Sequence, residues 1–135
     1  MPAGFDFVAH GRAMRQQGWW QDKTPDDLLE RAIARDPDKK AVVAYRMDRG
    51  FDAPTKTLTY RELGDAVAKA AGAFRALGVG KGDVVAIMLP NWWEFVVAAY
   101  ALSRIGAVPN PLMHIFRERE LRFMLSFADT KAIVI

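Results

Sequence analysis

Gly78-Val79-Gly80-Lys81-Gly82-Asp83 is the stretch whose composition looks most chemical, three glycines and a lysine in six residues. A loop of that kind cradles phosphate only when a strand precedes it and a helix follows, so that free backbone N–H groups face the anion. Here the order is reversed, and the segment is read as a helix stop and a turn into a strand. His10 and His114 stand far apart with no second ligand type at metal spacing, so no metal site is expected. Ser103 and Ser126 are the only serines, both inside helical segments without a neighbouring base, and no catalytic residue is assigned. Asp26, Asp27 and Glu30 form an acidic cluster, read as a solvated helix start because carboxylates there complement the helix dipole.

Trp19-Trp20 and Trp92-Trp93 are the aromatic doublets. Neighbours on a helix point about 100° apart, so Trp92 and Trp93 are not expected to enter one pocket together and are read chiefly as packing residues. Arg117, Arg119 and Arg122 alternate with Glu118 and Glu120 at a helix start, the pattern of a solvated face.

The elements that position these residues begin, on this reading, at Thr24, whose hydroxyl caps a helix opened by Pro25 and closed before Pro37. Residues 41–45 form a strand, Met47 to Lys56 (MDRGFDAPTK) a polar connection that suits a wide hairpin, and Lys56 to Thr59 the return strand. Thr59 and Glu62 have capping-box spacing, and Leu63, Val67, Ala70, Ala71, Phe74 and Leu77 then fall on one helical face up to Gly78. Val84 to Leu89 is an uninterrupted apolar run and is expected to be a central strand, covered on both faces. Asn91 and Glu94 repeat the capping-box spacing ahead of a helix over 92–105 that closes at Gly106. A short strand over 107–109, limited by Pro109 and Pro111, a helix over 118–128 with Leu121, Met124, Leu125 and Ala128 inward, and a strand over 131–135 complete the pattern. Strand, helix, strand, helix, strand predicts an α/β fold, a mainly parallel sheet with right-handed crossover helices.

Composition bounds the function. The 135 residues are 51% hydrophobic and 26% charged, which excludes a disordered tail, and the absence of cysteine excludes a disulfide scaffold. A net charge of +3 without a basic run speaks against nucleic acid as the main partner. No stretch suits a membrane span or a secretory leader, and the expected location is cytoplasmic.

At Leu58–Asp65 (LTYRELGD), Lys81–Pro90 (KGDVVAIMLP) and Ala101–Leu112 (ALSRIGAVPNPL), the chain resembles the AMP-forming acyl-CoA synthetases. These form the adenylate-forming superfamily together with firefly luciferase and peptide-synthetase adenylation domains. Pro90–Phe95 and Asn110–Leu121 are most similar to cyclohexanecarboxylate and related medium-chain acyl-CoA ligases, with His114 standing where that pattern has proline. The resemblance implies that residues 1–23 are an N-terminal extension and residues 24–135 part of an N-terminal subdomain, truncated at Ile135.

It also implies a parent enzyme in which a carboxylate attacks the α-phosphate of Mg-ATP to give acyl-AMP and pyrophosphate, after which the thiol of CoA displaces AMP. ATP, Mg2+ and CoA are therefore the expected cofactors of the parent, a carboxylic acid its substrate, and the remainder of the domain the partner of this piece. The Ser/Thr/Gly-rich phosphate loop and the other nucleotide motifs of the family are not in these residues, so the chain alone is expected to be inactive and to bind none of the three tightly. The turn from His114 to Arg117 is implied to face the CoA passage, with Arg117 meeting a CoA phosphate; the charge pattern by itself reads Arg117 as solvated. An adenylation domain loading a carrier protein, and a non-catalytic interaction module, are the other readings. The chain alone is further expected to self-associate.

Overall fold

A computed structural model describes residues 5–46, 48 and 50–135. Its elements are α1 (Phe7–Gln16), α2 (Pro25–Arg35), β1 (Lys40–Ala44), β2 (Lys56–Thr59), α3 (Tyr60–Ala76), β3 (Val84–Ile87), α4 (Trp93–Arg104), β4 (Val108–Pro111), α5 (Glu118–Phe127) and β5 (Thr130–Val134). Strands β1 and β2 pair antiparallel as a hairpin, and β3 lies between β4 and β5 in a parallel sheet. The α/β class and the central place of the 84–89 run hold. Met47 and Arg49, within the expected connection between the hairpin strands, lie outside the described residues.

Two capping boxes start helices on the core side. At α3 the Thr59 hydroxyl accepts the Glu62 N–H at 3.2 Å, and the Glu62 carboxylate accepts the Thr59 N–H at 2.8 Å. At α2, Thr24 and Asp27 exchange the same pair of bonds, at 3.3 and 2.6 Å. These fix where each helix enters and which stripe turns inward. Thr59→Ala is expected to cost about 1 kcal/mol, read as a lower midpoint at unchanged slope in a urea titration; an unchanged midpoint would remove the cap from the account.

Helix α3 buries Leu63, Val67 and Ala71 against α4, which buries Val97, Ala98, Ala101 and Leu102, and Val85 and Ile87 of β3 lie beneath them in the same cluster. Ala86, also fully buried, takes the opposite side of β3, as strand alternation requires.

Four expectations are corrected. Leu77 leaves the apolar stripe and is 75% exposed. The chain turns at Gly78 with φ +82°, the Gly78 N–H donates to the Arg75 carbonyl and the Val79 N–H to the Phe74 carbonyl, a Schellman closure that puts Val79 into the core instead. Asn91 does not cap α4: the N-cap is Trp92, without a side-chain cap bond. The strand expected over 107–109 is β4, which runs through both prolines. Val108 and Leu112 donate to Asp83 and Ile87 carbonyls of the β3 side, so the alternate positions Pro109 and Pro111 turn their nitrogens to the open edge, where no donor is needed. Finally, the region before Thr24 carries α1, capped by Asp6, whose carboxylate accepts the Val8 and Ala9 N–H groups at 2.9 Å. Buried Gly11 admits the Trp20 ring against this helix.

Among the described residues no helix is long and apolar enough to cross a membrane.

Candidate functional site

The chain leaves β3 into α4 to reach β4 on one side, then returns through α5 past β3 to β5 on the other. With right-handed crossovers α4 and α5 lie on opposite faces of the sheet, and the loops that follow β3 and β4 part between these two neighbouring strands. That is a topological switch point, where open parallel sheets present a crevice at the carboxyl ends of their strands. A crevice of about 330 Å³ is found there, lined by Leu89, Pro90 and Asn91 after β3, Pro111 to His114 after β4, and Phe95 of α4.

His114 is thus on the crevice wall, the single ionisable side chain lining it. Arg117 is one turn further on, exposed, and its Nη1 donates to the carbonyls of His114, Ile115 and Phe116 at 2.9–3.1 Å. The Glu120 carboxylate accepts the Arg117 N–H at 3.1 Å. Guanidinium and carboxylate together hold the turn that carries His114. Arg122 pairs with Glu118 at 2.7 Å on the exposed face of α5, as the alternating charges suggested.

The glycine-rich segment is occupied by its own side chains. The Gly80 N–H donates to the Asp83 carboxylate at 2.7 Å, and the Lys131 ammonium of β5 donates to that carboxylate and to the Gly78 carbonyl, both at 2.7 Å. An incoming triphosphate meets a carboxylate rather than free amides, so these residues do not fit the ATP-binding role. The Lys131 contact was missed in the sequence because it joins residues 48 apart.

Lys131, and after it the Gly80 amide, hold the Asp83 carboxyl below its ordinary value of 3.8. Asp27 and Glu62 are lowered by their N-cap partners Thr24 and Thr59. A carboxyl with a lower pKa folded than unfolded stabilises the fold fully above its unfolded pKa and loses that contribution as pH falls through the folded pKa. Stability is therefore expected to be level from about pH 7 to about pH 5 and to fall below about pH 4. Asp83→Asn should lower the urea midpoint at neutral pH and make the acid loss shallower; an acid limb identical to that of the unaltered chain would contradict this.

The acidic cluster at the start of α2 is more than a solvated cap. Asp26 and Arg104 of α4 pair at 2.8 Å with side chains 16% and 20% exposed, and Glu30 also meets the guanidinium. The Asp26 bond, offset by partial burial, makes Arg104 hold its proton more firmly than an ordinary arginine. Asp26 and Asp27 both sit in the first turn as expected, Asp27 alone of the three exchanges cap bonds with Thr24, and Glu30 stays largely exposed. Trp92 and Trp93 line one cleft after all, because Trp92 is extended at the N-cap (φ −92°, ψ 163°) and helical rotation does not separate the pair.

An open α/β sheet with a switch-point crevice is the class this geometry defines. Residues 29–135 match the model of the family described as AMP-binding enzyme, and the chain belongs to that family. It is 37% identical over 119 residues to a medium-chain fatty-acid–CoA ligase of Escherichia coli, an alignment covering 88% of this chain and 20% of that one. It is 35% identical over 121 residues to a salicyl-AMP ligase / salicyl-S-ArCP synthetase of Mycobacterium tuberculosis, covering 90% and 21%. Among solved structures, apo MbtA of Mycobacterium smegmatis superposes with a TM-score of 0.80 at 32% identity, covering 97% of this chain and 24% of that one. The chain thus spans about a fifth of the length of these curated relatives.

Proposed function

We propose that this chain is the N-terminal part of an AMP-forming acid–thiol ligase, which activates a carboxylic acid with ATP and Mg2+ and passes the acyl group to CoA. The family match over residues 29–135 carries this reading. Residues 24–135 contribute part of the N-terminal subdomain and residues 1–23 an extension, which the separate helix α1 and the start of the family match favour. The acid is cyclic or medium-chain, a choice supported by the Pro90–Phe95 and Asn110–Leu121 segments and by the similarity to the medium-chain ligase. Loading of a carrier protein is the second reading, favoured by the nearly equal similarity to the salicyl-S-ArCP synthetase. The proposed ligase works in the cytoplasm.

Within that enzyme His114 and Arg117 face the CoA passage, and Arg117 binds a CoA phosphate through guanidinium edges other than Nη1, which the turn carbonyls hold. In the ligase, Arg117→Ala is expected to raise the CoA concentration for half-maximal rate about tenfold and to leave carboxylate-dependent pyrophosphate exchange intact. Equal CoA dependence in both proteins returns Arg117 to a turn-holding role alone. Thioester formation with holo-carrier protein and none with CoA would select the second reading.

Alone, the chain self-associates. Phe123 and Phe127 of α5 stack at 5.7 Å while 67% and 83% exposed, and β5 offers an unpaired edge beside exposed Ile133 and Ile135. Sedimentation velocity should show concentration-dependent dimers or larger species; a single monomer boundary at all concentrations would contradict it.

A further inference from the structure

Away from the switch-point crevice, a second cleft of about 180 Å³ opens between the ends of the β1–β2 hairpin and the start of α4. The two tryptophans form much of its wall, its charged groups are Arg46, Lys56 and Glu94, and Tyr45 and Thr55 also line it. The Arg46 guanidinium lies 4.9 Å from the Trp92 ring centre and the Lys56 ammonium 5.6 Å from that of Trp93, so each cation is held against an aromatic face. Asp48 takes the Nε of Arg46 at 3.3 Å, and the Nη pair makes no hydrogen bond among the described residues. The Lys56 ammonium makes no hydrogen bond among the described residues; besides the Trp93 ring, its charge acts on the Glu62 carboxylate.

We infer that this cleft is a binding site for a small planar aromatic monocarboxylate, with the Arg46 guanidinium edge and Lys56 taking the carboxylate and the Trp92–Trp93 wall stacking the ring. A guanidinium lying on an indole is already oriented, so its remaining N–H groups meet a carboxylate bidentately at little further cost in rotamer freedom. Asp48 holds the Nε of Arg46 and leaves the Nη edge as the donor pair that the cleft offers to a carboxylate. The volume is below that of a drug-sized pocket and suits one ring. Arg46 and Trp92 lie outside the expected CoA passage, so the site is additional to the reaction proposed above and does not rest on it.

Benzoate is the probe, titrated into the full 135-residue chain by calorimetry and by NMR of the tryptophan indole N–H signals. Saturable binding is expected that shifts the Trp92 and Trp93 signals and leaves those of Trp19 and Trp20 in place. Arg46→Gln and Trp92→Leu should each weaken it about tenfold. Arg46 is exposed, so its variant keeps the fold, to be checked by circular dichroism. Cyclohexanecarboxylate, non-planar, and inorganic phosphate, which has no ring to stack, should bind more weakly. Absence of saturation at millimolar benzoate, equal shifts at all four indoles, unchanged affinity in Arg46→Gln, or cyclohexanecarboxylate or phosphate binding as tightly as benzoate would each overturn the assignment.

Discussion

Leu102→Ala is expected to lower the stability of the chain by 2–5 kcal/mol. Leu102 is fully buried in α4, packed among Val67 of α3 and Val85 and Ile87 of β3, the other large side chains with no exposure to speak of. Removing its branched end forfeits both its transfer from water and its contacts, because the helix and strand around it are each held by their own hydrogen bonds and close the cavity only in part. Since domains of this size have total stabilities of about 5–15 kcal/mol, the loss takes a large part of the whole. A urea titration should show the midpoint fall sharply, and a fall worth under about 1 kcal/mol would mean that α4 does not pack as described.

The next largest effect is expected at the ion pair joining α2 to α4. Arg104→Ala leaves the mostly buried Asp26 carboxylate without its partner, at a cost of about 1–3 kcal/mol. The figure sits below that for a fully buried pair because Glu30, the third member, is largely exposed and water screens it. The double change Arg104→Met with Asp26→Leu should recover most of the loss, since two apolar side chains replace two desolvated charges. In a double-mutant cycle the coupling between positions 26 and 104 is expected to be about 1–2 kcal/mol. Strict additivity of the two single changes would show that they do not interact.

What could be read in advance was local. Capping boxes at Thr59, the closures at Gly78 and Gly106 and the apolar run from Val84 depend on residues within one turn or one strand of each other, and each was found where its residues pointed. Pairings across the fold were not legible: Asp26 with Arg104 and Asp83 with Lys131 bring together residues 78 and 48 apart, and neither partner carries a local mark of the other. Helix α1 had a signal that went unused, Asp6 before an amphipathic stretch and Gly18 after it. Trp92 and Trp93 were misread because one residue's difference in where a helix begins decides whether neighbours diverge by a helical step or share a wall. The crevice at His114 depends on strand order, which periodicity does not state.

Carboxylate-dependent ATP–pyrophosphate exchange, measured on the 135-residue chain and on the ligase proposed to contain it, tests the account most directly. The prediction is exchange by the ligase, driven by cyclic or medium-chain acids and not by amino acids, and none by the chain alone, whose glycine-rich loop already spends its Gly80 amide on Asp83. Exchange by the chain alone, or a ligase that responds to no carboxylic acid, would contradict it.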